Sequence, residues 1–186
     1  MSDRKIAESD IKKSIQAIYC TLLDVSFSHT GGCLAIIHPE KEKAICEENV
    51  ITERFDLYVA GTVPVGMSEE SKEKANVLMY LLQYSEQGVE PFYGIDKPLR
   101  KEILSLDGAT VVSVNGSFFC AGSIVAVPSG SSGGGRTAAT KRLANFGVGI
   151  KISEDGYIEA YGVPVDENGN LLENAKKRMV PIFKFK

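Results

Sequence analysis

A single α/β domain with a central mixed β-sheet flanked by helices is the fold this chain predicts, on three observations. Segments with helical spacing alternate with short β-rich runs, and no internal repeat appears. The pair Asn115-Gly116 separates two β-rich runs, which is a hairpin signature. No proline/glycine linker divides the 186 residues, of which 44% are hydrophobic and 24% charged, enough for one sizeable core and tight for two domains.

The elements follow in order. Ile11, Ile15, Ile18 and Leu22 form an apolar stripe and predict a helix starting after Ser9, within an extra N-terminal helical segment over 1–28 suited to packing or oligomerisation. "GGCLAIIHPE" follows a glycine turn and predicts a core strand, and "ERFDLYVAG" a second. "SEESKEKANVLMYLLQY" places cap-type serines and acidic residues before its apolar positions, as a helix start does. "DKPLRKEILSL" has Pro98 in its first turn and predicts another helix. "DGATVVSVNGSFFCAGSIVAV" is the hairpin, "RTAATKRLANF" a helix, and "GVGIKIS" and "YIEAYG" are strands around the turn "EDG". "DENGN" is a turn before "MVPIFKF", a strand whose flanking lysines suit a sheet edge.

Bulk properties narrow the function classes. A net charge of -3 provides no general attraction to nucleic acid or to an anionic membrane, so a polyanion would be held at a local site. Cys20, Cys33, Cys46 and Cys120 contain no C-x-x-C pair and read as free thiols packed as small hydrophobes. The N-terminus is charged and no stretch approaches a membrane span, which predicts a cytoplasmic, stand-alone module. His29 and His38 lack the partner spacing of a zinc site, and Tyr80, Tyr84 and Tyr93 read as core or interface aromatics.

The stretch Gly130-Ser-Ser-Gly-Gly-Gly-Arg-Thr137 raises the question of chemistry. Its spacing fits a P-loop between a strand and a helix, but Arg136 stands where that motif has lysine, and a planar fork does not replace a compact charge. Only 49 residues follow Thr137, too few for the remaining parallel strands of that fold. A solvated glycine-serine linker is the second reading. The third is a different phosphate cradle, in which glycine-rich backbone N–H groups, a helix N-terminus and the Arg136 guanidinium converge on an anion. Asp107, 29 residues before Arg136, leaves room for one hairpin and the loop, so the carboxylate and the cradle can face one cleft. A carboxylate able to hold Mg2+ or Mn2+ opposite a phosphate cradle is the minimal equipment of nucleotidyl transfer.

"LDGATVV", "GSIVAV", "GGGRTAATKRLA" and "IKISEDGYI" together resemble the diadenylate cyclase (DAC) domain family, clearly over 97–162 and more loosely from "HTGGCLAII" onward. The resemblance implies a DAC-like domain over 29–186 and a homodimer or higher homo-oligomer in which two ATP molecules meet face to face. Each 3′-hydroxyl attacks the other α-phosphate, giving cyclic di-AMP and two pyrophosphates. It further implies Asp107 as the metal-binding carboxylate that prepares the hydroxyl, with Mg2+ or Mn2+ as cofactor. Gly108 and Ala109 would lie along the nucleotide and Ile124 against adenine. Gly134, Gly135, Arg136 and Thr137 would lie at the phosphates, Ser153 would contact phosphate, and Glu154 or Asp155 would be a second metal ligand. With Arg136 as the family's first arginine, Thr137 stands where the family has histidine and Ala138 where it has a second arginine; in a shifted register Arg136 is the second arginine and a glycine stands at the first, so either way two of the three side chains are missing. The alternative reading is a DAC-like domain that binds ATP or cyclic di-AMP without turning it over. A third is a cyclase-type enzyme that takes another nucleotide.

Overall fold

A computed structural model describes residues 7–48, 50–51, 90–128, 134–163 and 180–185. Along the chain the elements are α1 (Glu8–Ser28), β1 (Gly32–Ile37), a 3-10 turn (Pro39–Lys41), α2 (Glu42–Glu47), α3 (Lys97–Leu104), β2 (Ala109–Ser113), β3 (Phe118–Ser123), α4 (Gly134–Leu143), β4 (Gly147–Ile152), β5 (Ile158–Gly162) and β6 (Val180–Phe185). The strand expected at "ERFDLYVAG", the helix at "SEESKEKANVLMYLLQY", the turn "DENGN", Tyr80, Tyr84 and the start of the glycine loop at Gly130 lie outside the described residues.

Among the described residues, six strands form one mixed sheet in the order β3-β2-β1-β4-β5-β6. β1 pairs with β2 in parallel, and every other neighbour is antiparallel. The hairpin predicted at Asn115-Gly116 joins β2 to β3: Gly116 N–H donates to Ser113 O at 2.8 Å, and the Asn115 side chain accepts from Ser117 N–H at 3.1 Å. β6 lies at one end of the sheet, as its lysine-flanked sequence suggests.

Alternation along the strands divides the core into two faces. Cys33, Ala35 and Ile37 of β1 pack on one side with Val111, Ile45 of α2, Leu143 of α4 and Phe146 just beyond it. Leu34 points to the other side, where Ala17, Ile18, Leu22 and Val25 of α1 meet Leu104, Ile150, Ile152 and Ile158. The N-terminal helix therefore shares a core with the sheet. Its buried face also carries Ser14, Thr21 and Ser26. Thr21 donates back to Ala17 O at 2.8 Å and accepts from Arg100 Nε of α3 at 3.2 Å, while Arg100 also reaches the Ile95 carbonyl. α1 and α3 are thus joined by a polar contact as well as by packing.

Ile15 and Tyr19 of α1 remain exposed, although Ile15 belongs to the stripe that identifies the helix. Among the described residues, Cys20, Cys33, Cys46 and Cys120 form no disulfide, and Cys33 and Cys120 are buried. Among the described residues, no helix is long and apolar enough to cross a membrane.

Candidate functional site

The starts of β1 and β2, the end of β3 and the first turn of α4 meet at one end of the strands. They enclose a cavity of about 530 Å3, a size ordinary for a small-molecule site. Asp107, Gly108 and Ala109 line it from the start of β2, Ser123 to Val125 and Val127 from the end of β3, Cys33 from β1, and Gly135, Arg136 and Ala139 from α4. Among the described lining residues Arg136 is the cation and Asp107 the carboxylate, and the apolar share comes mainly from Ile124, Val125 and Val127.

The local sequence explains how each side chain arrives there. Asp107 closes the turn after α3 and is exposed. Gly108 follows with φ +111, and a Cβ there would fall 2.5 Å from the Gly122 carbonyl carbon. Only glycine lets β2 start this close to the end of β3, so Gly108 fixes the direction in which Asp107 leaves the sheet. Beyond β3, a bridge between Ile51 and Val125 and a bond from Ala126 N–H to Val50 O at 2.8 Å hold the segment carrying Ile124, a residue 59% exposed.

Helix α4 lies across β1 and β4 on the same face of the sheet, and Thr140 anchors it. Its hydroxyl donates to Arg136 O at 2.8 Å and lies 3.2 Å from Cys33 Sγ. Burial pushes the Cys33 thiol above its ordinary pKa, an effect that the Thr140 contact and the Arg136 charge partly offset. The first N–H groups of α4 have no carbonyl partner within the helix. Among the described residues, a Cβ placed on Gly134 or Gly135 would meet nothing within 4 Å.

The structure thus brings Asp107, Gly108, Ala109, Ile124, Gly135 and Arg136 to one cavity. Thr137 is buried in the body of the domain and does not line it. Ser153, Glu154 and Asp155 sit in the turn between β4 and β5, outside the lining. Ser153 closes that turn, its backbone N–H and its hydroxyl both donating to Tyr157 O at 2.8 and 3.1 Å. Glu154 reaches toward the cavity, with its Oε1 3.6 Å from Arg136 Nη1. Further along α4, Arg142 donates to Glu48 at 3.0 Å and Lys141 lies over the Tyr161 ring, so neither lends its charge to the lining.

The sequence does not single out Gly31, Ser123 or Ala139 for the site. The first carries a positive φ and packs against Arg136, and the others follow once Asp107 and α4 are placed. His29 and His38 have polar backbone partners: His29 Nδ1 lies 3.0 Å from Glu154 O, and His38 Nδ1 accepts from Glu40 N–H. Among the described residues no group of three or more histidine, cysteine or carboxylate side chains could hold a metal ion by itself. No protein-family model and no curated protein matches the chain.

Proposed function

We propose that the cavity binds ATP and that two copies of the domain, meeting cavity to cavity, condense two ATP molecules into cyclic di-AMP and two pyrophosphates. The observation that carries this reading is the convergence of Asp107 and Arg136, far apart in the chain, on one cavity with Ile124 on its wall. A carboxylate, a guanidinium on the first turn of a helix and an apolar surface match the ribose, phosphates and base of a nucleotide. The resemblance to diadenylate cyclases supports the same assignment.

Mg2+ commonly binds through one or two carboxylates plus substrate phosphates, and the exposed Asp107 fits that donor set. Asp107 would hold Mg2+ or Mn2+ together with the nucleotide. The ion, when bound, neutralises phosphate charge and makes the hydroxyl more acidic. Asp107 orients and deprotonates the 3′-hydroxyl. The new bond joins that oxygen to the α-phosphorus of the other ATP, and the bond to the β-phosphate bridging oxygen breaks. Pyrophosphate leaves with the electron pair, held by Arg136 and the N–H groups at Gly134 and Gly135. In such a transfer the protein contributes mainly position and charge stabilisation.

A second reading is a domain that binds ATP or cyclic di-AMP without turnover. It is favoured by the burial of Thr137 and Ala138, each 7% exposed, which present no second cation at the family's histidine and arginine positions. Incubating the purified full chain with ATP and Mn2+ or Mg2+ and weighing the products by mass spectrometry decides between them. The cyclase reading expects cyclic di-AMP and pyrophosphate, at a rate rising more than linearly with protein concentration. ATP binding with no dinucleotide at high protein concentration overturns it and leaves the binding domain.

A further inference from the structure

We propose that Gly31 is a positioning residue for Arg136, and that the turn from α1 to β1 is the seat that holds the guanidinium at the rim of the cavity. The proposal rests on the anion-site reading above and adds the element that aims its cation.

An arginine on the first turn of a helix is long and flexible, and holding it in one place costs side-chain entropy unless something else fixes it. Gly31 supplies the fixed surface. Its φ is +71, and a Cβ there would lie 2.7 Å from Arg136 Nη1, 3.2 Å from Arg136 Cζ and 3.3 Å from Glu154 Cγ. The guanidinium therefore rests directly on the Gly31 backbone, with the Glu154 side chain beside it. Two demands meet at this position. The left-handed backbone favours glycine but tolerates asparagine. The contact with Arg136 means that any Cβ at this position must push the guanidinium, the far end of a flexible side chain, off its place.

The seat is itself anchored. His29 ends α1 in a left-handed conformation, its N–H donating to Ser26 O at 3.2 Å. Its Nδ1–H donates to Glu154 O at 3.0 Å, and Ser26 Oγ donates to Gly156 O at 2.6 Å. The end of α1 is thus fastened to the β4–β5 turn on the side where Arg136 lies. Through these contacts the N-terminal helix takes part in the geometry of the site without lining the cavity.

The test uses Gly31→Ala and Gly31→Asn in the full chain, each made in the wild-type and the Arg136→Ala backgrounds. Urea midpoints measure stability, and calorimetric titration measures affinity for inorganic pyrophosphate and for adenosine. Asparagine accepts the backbone conformation but carries a Cβ, which separates backbone strain from the Arg136 contact. Both variants should weaken pyrophosphate binding about tenfold, the loss of roughly one charge-assisted hydrogen bond, and leave adenosine binding unchanged. The midpoint shift caused by either substitution should be smaller once Arg136 is alanine, because the group it displaces is gone. Equal shifts in the two backgrounds, including failure to fold in both, overturn the proposal, and so does unchanged pyrophosphate affinity in Gly31→Asn. If the wild-type chain binds no pyrophosphate, the anion-site reading falls, and the coupling of the midpoints alone decides whether Gly31 seats Arg136.

Discussion

Arg136 and Glu154 face each other at the edge of the cavity, Nη1 to Oε1 at 3.6 Å, one from the first turn of α4 and the other from the turn after β4. The pair is loose, and the Glu154 side chain is 73% exposed, so its net strength is small, about 0.2–1 kcal/mol for pairs of this kind. An incoming phosphate competes with Glu154 for the guanidinium. Glu154→Gln should therefore raise pyrophosphate affinity by about two- to fivefold, measured by calorimetric titration at low salt. If Glu154 acts instead as a metal ligand, the same variant loses Mn2+-dependent turnover and gains no affinity for pyrophosphate.

Arg136→Ala removes the cation itself. A hydrogen bond to a charged group contributes about 1.5–3 kcal/mol, so ATP affinity should fall by roughly ten- to a hundredfold. Adenosine affinity should stay where it was, since no phosphate is involved. Competition with a fluorescent nucleotide reads both constants, and unchanged ATP affinity removes Arg136 from the site.

Asp107→Asn keeps the shape of the side chain and removes its charge. Asp107 is exposed and the backbone turn beside it is set by Gly108, so the fold should tolerate the change. Turnover should disappear, while nucleotide binding without metal changes little. Equal loss of turnover and of metal-free binding would mean that Asp107 holds the cavity's shape rather than serving the reaction.

The elements of the fold that could be read from sequence are those whose causes are local. The β2–β3 hairpin follows from Asn115-Gly116, and helix α3 from Pro98 and the apolar positions after it. In α1 the spacing of Ile11, Ile15, Ile18 and Leu22 identifies a helix but not its buried side. The buried face includes Ser14, Thr21 and Ser26, and Ile15 is 60% exposed. Thr21 and Ser26 can be buried because their hydroxyls find Ala17 O and Gly156 O, a satisfaction that hydrophobic periodicity does not register. The central place of β1, between β2 and β4, depends on pairings between distant segments and leaves no local trace. The site divides in the same way. Asp107 and Arg136 were legible because the hairpin between them folds back on itself. The seat at Gly31 was not, since a glycine before a strand reads as a turn until Arg136 is seen against it.

On the outer part of the sheet, Glu159 holds Lys184 at 3.0 Å and Lys151 at 3.4 Å, and accepts from Tyr161 OH at 3.2 Å. The bond from Lys184, with Lys151 and Tyr161 assisting, keeps the Glu159 carboxyl below its ordinary value of 4.5 despite partial burial. The same pair raises the Lys184 ammonium above its ordinary 10.5. A carboxyl with a depressed folded-state pKa contributes stability that is complete above the ordinary value and is lost as pH falls through the folded value. A raised lysine contributes below its ordinary value and loses that contribution as pH rises through the folded one. The cluster should therefore stabilise the protein across the neutral range and lose strength first on the acid side, below about pH 4.5. Glu159→Gln should melt at a lower temperature than the wild type at pH 7, and the two melting temperatures should approach each other as pH falls below that point. A gap that stays constant down to acid pH would mean that Glu159 acts through packing and not through its charge.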